Sequence, residues 1–361
     1  MKNSPLIILC FLLLSCTHKD GIIVVQYKDA TGIELLSSAI FKNIEVITLH
    51  REDAPLFDPT FVDMVVKNDT YYISDPYGSQ KIYLFNANGA YLNSVGEIGR
   101  GPAEYLALSD MIIEDNGDIS VYSCLQGISF TYSPQGRFLG STLYPYRARN
   151  FAKANGLNYL HFGDGGGMPY QLYITDSNNH VVDSCWKSRE IPSAVPFVPF
   201  TWYKDTLYLC PSYGGEIYRF VDGKPKVSYS FDFGVYTIPP EYFTKNPQEG
   251  LAFIMTKTVA LKDLFFENQK CAILLADVRF NGQGVSRDIY GLLEKATSTW
   301  KWYYINQGDF MNNHNLKYMD DSYLYFMVDP SMIKEQELID KWPILLDNPE
   351  GIIILKCQLA T

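Results

Sequence analysis

The chain has 361 residues, of which 47% are hydrophobic and 15% aromatic, and its formal net charge is −10. The hydrophobic content excludes a disordered chain, and the 27 Tyr and 21 Phe favour β-strands, where aromatic rings pack well on a pleated surface. The acidic balance argues against binding to nucleic acid or to anionic lipid headgroups.

The N-terminus has the features of a secretory signal. A positively charged start is followed by an apolar run, residues 6–14, that is too short to span a bilayer. Ser15 before Cys16 resembles the bacterial lipobox, which implies a lipid on the Cys16 thiol and cleavage before it. An ordinary signal peptide with an incidental cysteine is the alternative. We therefore expect residues 1–15 to be a lipoprotein signal peptide and residues 16–42 to be a tether and N-terminal segment.

From residue 43 to residue 361 the chain repeats a unit of two β-hairpins. In the first unit the hairpins turn at Asn68-Asp69 and at Asn86–Gly89, and Asn, Asp and Gly supply the positive φ that tight hairpins require. Four antiparallel strands every ~40–60 residues are typical of a propeller blade. The sequence therefore predicts an all-β fold, a six-bladed β-propeller. A two-domain β-sandwich would not explain six units with the same two hairpins.

The sixth unit has no fourth strand before the chain ends. We expect the N-terminal strand Asn43–Leu49 to complete it, because pairing the two ends would remove the open edges of the ring. Two other segments, residues 239–261 and 331–346, have apolar residues at helical spacing. They predict two short helical insertions in the propeller.

Propeller geometry places the long loops on one side, here called the loop-rich face, and the tight hairpins on the other. Each inner strand begins on the loop-rich face, and five of the six residues at this repeat-equivalent position are Asp or Asn: Asp63, Asp110, Asn150, Asp263 and Asn315. This end of the axis is called the axial mouth. Its carboxylates could bind Ca²⁺ or a polyhydroxyl ligand. Alternatively, each side chain only caps backbone amides where an inner strand begins.

Three charged residues in neighbouring loops, Arg100, Glu104 and Arg149, extend this candidate ligand-binding site. Arg100 and Arg149 could hold a carboxylate or sulfate through paired hydrogen bonds, or they could pair with acids such as Glu104. His161 with Asp164 is a weak indication of a metal or general-base pair. The sequence contains no CxxC pair, phosphate-binding loop or nucleophile elbow, so no catalytic residue is predicted.

The segment Gly99-Arg100-Gly101-Pro102-Ala103-Glu104-Tyr105 resembles the G-x-G-P-x-E-Y pattern of six-bladed β-propeller lipoproteins common in the Bacteroides group. The usual pattern has a second glycine where this chain has Ala103. The resemblance extends from Ile44 onward and includes the lipobox. It implies an extracytoplasmic lipoprotein with an NHL-like fold, and it implies no established reaction.

These patterns predict a binding or interaction module of the cell envelope that recognises a glycan, a peptide or a protein partner through the loop-rich face. A hydrolase or lyase with an axial, metal-assisted site is the alternative, and a purely structural envelope component is a third interpretation. No cofactor is indicated apart from Ca²⁺ at the axial mouth. We expect a monomeric propeller held to a bacterial membrane, with the outer membrane favoured, by its lipid alone.

Overall fold

The computed structural model describes residues 18–19, 22–27, 30–33, 40–50, 57–189, 198–243, 247–257, 259–279, 286–305, 315–329 and 351–360. In these residues six sheets are arranged as a six-bladed β-propeller, which confirms the predicted fold class. The expected signal peptide, Cys16 and the helical insertion at residues 331–346 lie outside the described residues.

The strands follow one another around the ring in chain order. The N-terminal strands are β1 (His18–Lys19), β2 (Ile22–Gln26), β3 (Thr31–Ile33) and β4 (Phe41–Leu49). Blades 1 and 2 contain β5 (Asp63–Lys67), β6 (Thr70–Ser74), β7 (Ile82–Asn86), β8 (Tyr91–Val95), β9 (Asp110–Ile113), β10 (Ile119–Ser123), β11 (Ile128–Tyr132) and β12 (Phe138–Leu143).

Blades 3 and 4 contain β13 (Asn150–Ala154), β14 (Leu157–His161), β15 (Tyr170–Thr175), β16 (Val181–Lys187), β17 (Phe200–Tyr203), β18 (Thr206–Leu209), β19 (Glu216–Val221) and β20 (Lys224–Asp232). Blades 5 and 6 contain β21 (Val259–Glu267), β22 (Cys271–Arg279), β23 (Ser286–Glu294), β24 (Thr299–Ile305), β25 (Leu316–Met319), β26 (Tyr323–Val328) and β27 (Ile352–Leu359).

The first helical insertion lies between blades 4 and 5. It contains 3₁₀ turns at Gly234–Tyr236 and Pro240–Phe243 and the helix α1 (Pro247–Thr256). The end of the predicted segment belongs to β21 instead, because Val259 pairs with Arg279 of β22 and is buried between blades. Among the described residues, none of the helices is long and apolar enough to cross a membrane.

The N-terminal strand β4 closes the ring as predicted. It pairs antiparallel with β27, with Leu49 opposite Ile352 and Ile44 opposite Cys357. Ile47 and Leu49 are buried, whereas the intervening Thr48 is only partly buried, so the alternation places one face of β4 in the core.

The structure differs from the expectation of a tether before β4. The strand β2 pairs parallel with β20, with Val25 opposite Phe231, and β3 pairs parallel with β24. Val25 is only 2% exposed, and the ring of Tyr27 packs edge-on against Trp302 at 5.1 Å. These alternating apolar residues therefore extend the outer edges of blades 4 and 5.

A hydrophobic cluster lies between each pair of neighbouring blades. Between blades 2 and 3, for example, the rings of Tyr122 and Phe151 stack at 4.8 Å. Close packing of this kind resists small displacements. The inner strands, and the polar residues at their ends, are therefore held in fixed positions around the axis.

Candidate functional site

Three of the predicted site residues are the first residues of inner strands: Asp63 of β5, Asp110 of β9 and Asn150 of β13. They lie opposite Ser74, Tyr122 and His161, which are at or next to the end of each second strand, where the long loops begin. Asn315 directly precedes β25. The structure thus places these four residues at the loop-rich end of the inner strands.

Blades 5 and 6 each contribute a residue through a β-bulge. The pairing register shifts between Lys262 and Leu264, which leaves Asp263 as the extra residue, and between Leu316 and Tyr318, which leaves Lys317 as the extra residue. A bulge redirects a side chain out of the regular alternation. Sequence reasoning identified Asp263 but missed Lys317, because a bulge leaves no mark in the repeat.

The charge of Asp63 acts on Asp110, and that of Asp263 acts on Asp63; these three residues are called the carboxyl cluster. Burial raises the pKa of Asp63 to about 7; the Lys317 ammonium lowers this pKa and the charge of Asp263 raises it further. Burial and then the charge of Asp63 raise the pKa of Asp110, against hydrogen bonds from Phe151 and Asn150.

Lys317 is the cation of this group. Its side chain is buried, its Nζ donates a hydrogen bond to the carbonyl of Thr60 at 3.0 Å, and burial lowers its pKa to about 8 against the attraction of Asp63 and Asp263. Asp58 also attracts it, so three carboxyl groups, those of Asp63, Asp263 and Asp58, act on this one ammonium.

The hydrogen bonds of the axial-mouth residues show which of them cap backbone groups. Asp110 Oδ2 accepts a hydrogen bond from the amide of Phe151 at 3.0 Å, and Asn315 Nδ2 donates one to the carbonyl of Met327 at 2.7 Å. By contrast, Asp63 Oδ1 and Asn150 Oδ1 are buried and have no hydrogen-bond partner among the described residues. Capping explains the first two residues and leaves two buried acceptors open.

His161 lies next to Asn150 in the strand pairing and is buried. Burial, and then the charge of Arg149, lower its pKa to about 4, so the imidazole is neutral near pH 7. The predicted pairing with Asp164 is not formed, since the Asp164 carboxylate accepts hydrogen bonds from the Arg189 guanidinium and from Gln171 instead. Arg149 is exposed and directly precedes Asn150 in the chain.

An aromatic rim stands beside the carboxyl cluster. Phe61 and Tyr77 are 47% and 70% exposed, and their rings meet edge to face at 6.0 Å. The pKa of Tyr77 is raised by partial burial and by the charges of Asp63 and Asp110, which places its hydroxyl near them. The sequence gave no signal for Phe61, which lies in the connection before β5.

A cavity of about 870 Å³ extends along the inner strands. Asp63, Asp110 and Lys317 line it at the loop-rich end, and Lys67 and Glu114 line it near the tight turns. Its volume is in the range of small-molecule sites in proteins. Asp63 and Asp110 of the carboxyl cluster therefore border a space large enough for a ligand.

The Gly99–Tyr105 segment has a structural role of its own. The Glu104 carboxylate accepts a hydrogen bond from the amide of Gly101 at 2.8 Å, and the fully buried Tyr105 donates its hydroxyl to the carbonyl of Gln80 at 2.5 Å. Arg100 is exposed and forms no ion pair with Glu104. These contacts hold the loop against blade 1 and occupy the carboxylate that was predicted to contact a ligand.

Within the described part of the chain, no group of three or more His, Cys, Asp or Glu side chains is arranged to hold a metal ion. The carboxyl cluster is therefore not a preformed site of that kind. Calcium binding at the axial mouth stays a prediction.

Comparison with known proteins places the chain in a family. A family model described as a domain of unknown function, DUF4934, matches residues 22–346. The chain belongs to this family. No curated protein matches it.

Two solved structures share the fold. One, from Bacteroides fragilis NCTC 9343 and described as an exported protein, is 17% identical with a TM-score of 0.76, covering 94% of this chain and 100% of that chain. The other, a DUF4221 family member from Bacteroides vulgatus ATCC 8482, is 10% identical with a TM-score of 0.59, covering 89% and 98%. The family match and these structures confirm the predicted resemblance.

Proposed function

We propose that this protein is a binding module of the cell envelope and that it takes a small polar ligand at the axial mouth. The observation that carries this proposal is the pair of buried acceptors without partners, Asp63 Oδ1 and Asn150 Oδ1, beside the carboxyl cluster. Leaving a buried polar atom unpaired costs about 1–3 kcal/mol. A ligand that donates hydrogen bonds to these oxygens would remove that cost.

The surroundings support a ligand-binding role over a purely structural one. The inner strands hold the carboxyl cluster on a rigid scaffold, and binding sites are commonly carried by loops above such a scaffold. The exposed rings of Phe61 and Tyr77 offer flat apolar surface beside polar groups, which suits a sugar ring or the side chain of a peptide.

A hydrolase or lyase is the second candidate, and one observation favours it. The pKa of Asp63, raised to about 7 by burial, is close to that of a general acid or base working near neutral pH. Turnover of a bound ligand that stops in Asp63→Asn, while binding persists, would identify this activity. Binding without any turnover would favour the binding module over the hydrolase or lyase.

We also propose that the protein is exported and anchored through a lipid on Cys16. The lipobox-like sequence supports this, as does the likeness to a Bacteroides fragilis protein described as exported. Cys16 is two residues before His18, a span of at most ~7 Å, and β1 lies on the outer edge of blade 4. An anchor there would hold the protein by its edge and leave the loop-rich face open.

The binding proposal is tested by ligand-observed NMR with a panel of monosaccharides and short peptides. We expect contacts with the wild type that are lost in Asp63→Asn/Asp110→Asn. The matched control is Asp69→Asn/Asp222→Asn, which changes two exposed acids in tight turns and should bind as the wild type does. Equal binding by the axial double variant would show that the ligand site is elsewhere.

A further inference from the structure

We propose that the protein carries a second binding site on the side opposite the loop-rich face, in a cleft between blades 2 and 3, and that this site takes a neutral oligosaccharide. The side that bears the tight turns is called the tight-turn face, and the cleft is called the radial cleft. The radial cleft is lined by six residues: Thr142, Tyr144, Asn155, Asn158, Ser177 and Asn179. The proposal does not depend on the axial mouth, which lies at the other end of the inner strands.

The radial cleft is a branch of the axial cavity. The cavity follows the inner strands, whereas the residues of the radial cleft lie at the outer strand of blade 2 and in the two hairpins of blade 3. Neighbouring strands are about 4.8 Å apart, so the outer strand lies roughly 14 Å from the inner one. At the outer end Asn179 Nδ2 donates a hydrogen bond to the carbonyl of Leu143 at 2.8 Å, which joins the two blades. The cleft therefore has room for more than one sugar ring.

The radial cleft is not a product of the repeat. Blades 1, 2 and 4 have an equivalent second hairpin, but its described turn does not line the cavity, at residues 86–89, 133–136 and 222–223. Between blades 3 and 4 the packing is close, since a Cβ on Gly223 would lie 2.6 Å from Leu157 Cδ1. A Cβ on Gly156, by contrast, would have nothing within 4 Å. A space that is open at one pair of blades and filled at the next is specific to this chain rather than to its architecture.

The charges at the tight-turn end of the cavity are balanced. Lys67 Nζ lies 3.1 Å from Asp115 Oδ1. Lys153 Nζ lies 2.7 Å from Glu114 Oε1, which links blade 3 to blade 2 beside the radial cleft. The turn at residues 204–205 adds one lysine and one aspartate to the lining. Because the positive and negative side chains are equal in number, this end of the cavity suits a neutral ligand better than an anion or a cation.

The polar groups of the radial cleft are mostly amides and hydroxyls. Asn158 Nδ2 donates hydrogen bonds within blade 3 and Asn179 Nδ2 donates one to blade 2, so both side chains are held in place. The side chains of Thr142, Asn155 and Ser177 are exposed. Amides and hydroxyls both donate and accept hydrogen bonds, as the hydroxyls of a sugar do. An extended peptide would instead pair with the edge of a strand, whereas Asn155, Ser177 and Asn179 lie in the turns between strands.

Trp202 supplies an aromatic surface in the same cavity. It lies in the inner strand β17 of blade 4, two residues before the turn at 204–205. Its side chain is 40% exposed, whereas Trp302 is buried among other rings. A flat ring of this kind packs against the apolar face of a sugar, and its indole N–H can donate a hydrogen bond to a hydroxyl. An aromatic surface, neutral polar groups and balanced charge in one cavity together match an oligosaccharide.

The test starts with the full mature chain on an array of neutral, acidic and basic oligosaccharides, and the strongest neutral probe is then titrated by calorimetry. We expect neutral probes to bind at least about tenfold more tightly than chitosan or oligogalacturonate of the same length. Trp202→Ala should weaken binding at least about tenfold, and Trp202→Phe should weaken it less. Ser177→Trp should also weaken binding, because the added ring fills the cleft. Leu92→Ala, an exposed change in the outer strand of blade 1, is the control and should bind as the wild type does.

The variants distinguish the radial cleft from the axial mouth. Binding that is lost in Trp202→Ala and kept in Asp63→Asn/Asp110→Asn would support the radial cleft, whether or not the axial proposal holds. Binding that is lost in the axial double variant and kept in Trp202→Ala would overturn the second site and leave the axial mouth standing. Absence of binding by every neutral probe, or tighter binding by the charged ones, would also overturn it. Thermal melting shows whether each variant is folded, and the exposed turn variant Ser177→Trp keeps the test decisive if Trp202→Ala unfolds.

Discussion

Asp110 in blade 2 joins that blade to blade 3, because its Oδ2 accepts a hydrogen bond from the backbone amide of Phe151 at 3.0 Å. Asp63 occupies the equivalent position in blade 1, yet its Oδ1 has no partner among the described residues. The same repeat position therefore serves in one blade as a cap for the next and in another as an open acceptor. Of the two interpretations that the sequence left open, capping applies to Asp110, whereas ligand binding stays a prediction for Asp63.

The unusual pKa of Asp63 predicts how stability depends on pH. Its folded value of about 7 lies above the unfolded value of about 3.9. The folded state thus binds the proton more tightly, and the stabilisation is complete below about pH 4 and lost as the pH rises through about 7. Between about pH 4 and about pH 8, the free energy of unfolding should therefore fall by on the order of a few kcal/mol.

The substitution Asp63→Asn should remove most of this dependence, because an amide has nearly the same shape and does not ionise. Near pH 8 we expect the variant to melt at a higher temperature than the wild type in calorimetry. The exposed turn variant Asp69→Asn serves as control and should follow the wild type. A variant less stable than the wild type near pH 8 would mean that Asp63 acts only as a cap.

The loop that carries the family-like motif should be sensitive to a single methyl group. A Cβ at Gly99 would lie 1.8 Å from Glu104 Oε2, the oxygen that accepts the Gly101 amide. Gly99→Ala must displace that carboxylate, so we expect a loss of about 1–3 kcal/mol in chemical denaturation. Gly140→Ala is the matched control, because nothing lies within 4 Å of its Cβ. Equal stabilities of the two variants would contradict the structural role of Glu104.

Local patterns explain how much of the fold was readable from the sequence. Alternation and turn residues such as Asn68-Asp69 act over a few positions, so hairpins and blades follow from them. The expected start of the fifth inner strand at Asp263 was wrong, because β21 begins four residues earlier, at Val259. Lys317 was missed because a bulge depends on the partner strand. The strand β2 was missed because it pairs with β20, about two hundred residues away, and no local signal specifies a parallel partner. The structural role of Glu104 in its loop was not predicted, because its hydrogen-bond partner is the backbone amide of Gly101.

The proposed anchor makes a prediction about location. Cys16→Ala should move the protein from the membrane fraction to the soluble fraction, because the substitution removes the proposed site of lipid attachment. Mass spectrometry of the wild type should show the added lipid on Cys16. A Cys16→Ala protein that still sediments with membranes would contradict the lipid anchor, and it would not affect the axial site.

The N-terminal strands should contribute to stability, which a tether would not. Val25 is 2% exposed on the edge of blade 4, so Val25→Ala should lower the free energy of unfolding by about 1–3 kcal/mol. The exposed neighbour Gln26 provides the control, and Gln26→Ala should change little.

Deleting residues 17–33 should have a larger effect, because it uncovers the outer edges of β20 and β24 and leaves the ring closure by β4 intact. We expect a lower melting temperature and, since unpaired strand edges pair between molecules, aggregation on heating. Light scattering during a thermal ramp measures both effects. If the deleted protein melts as the full chain does, these strands are dispensable and the segment behaves as the tether that the sequence first suggested.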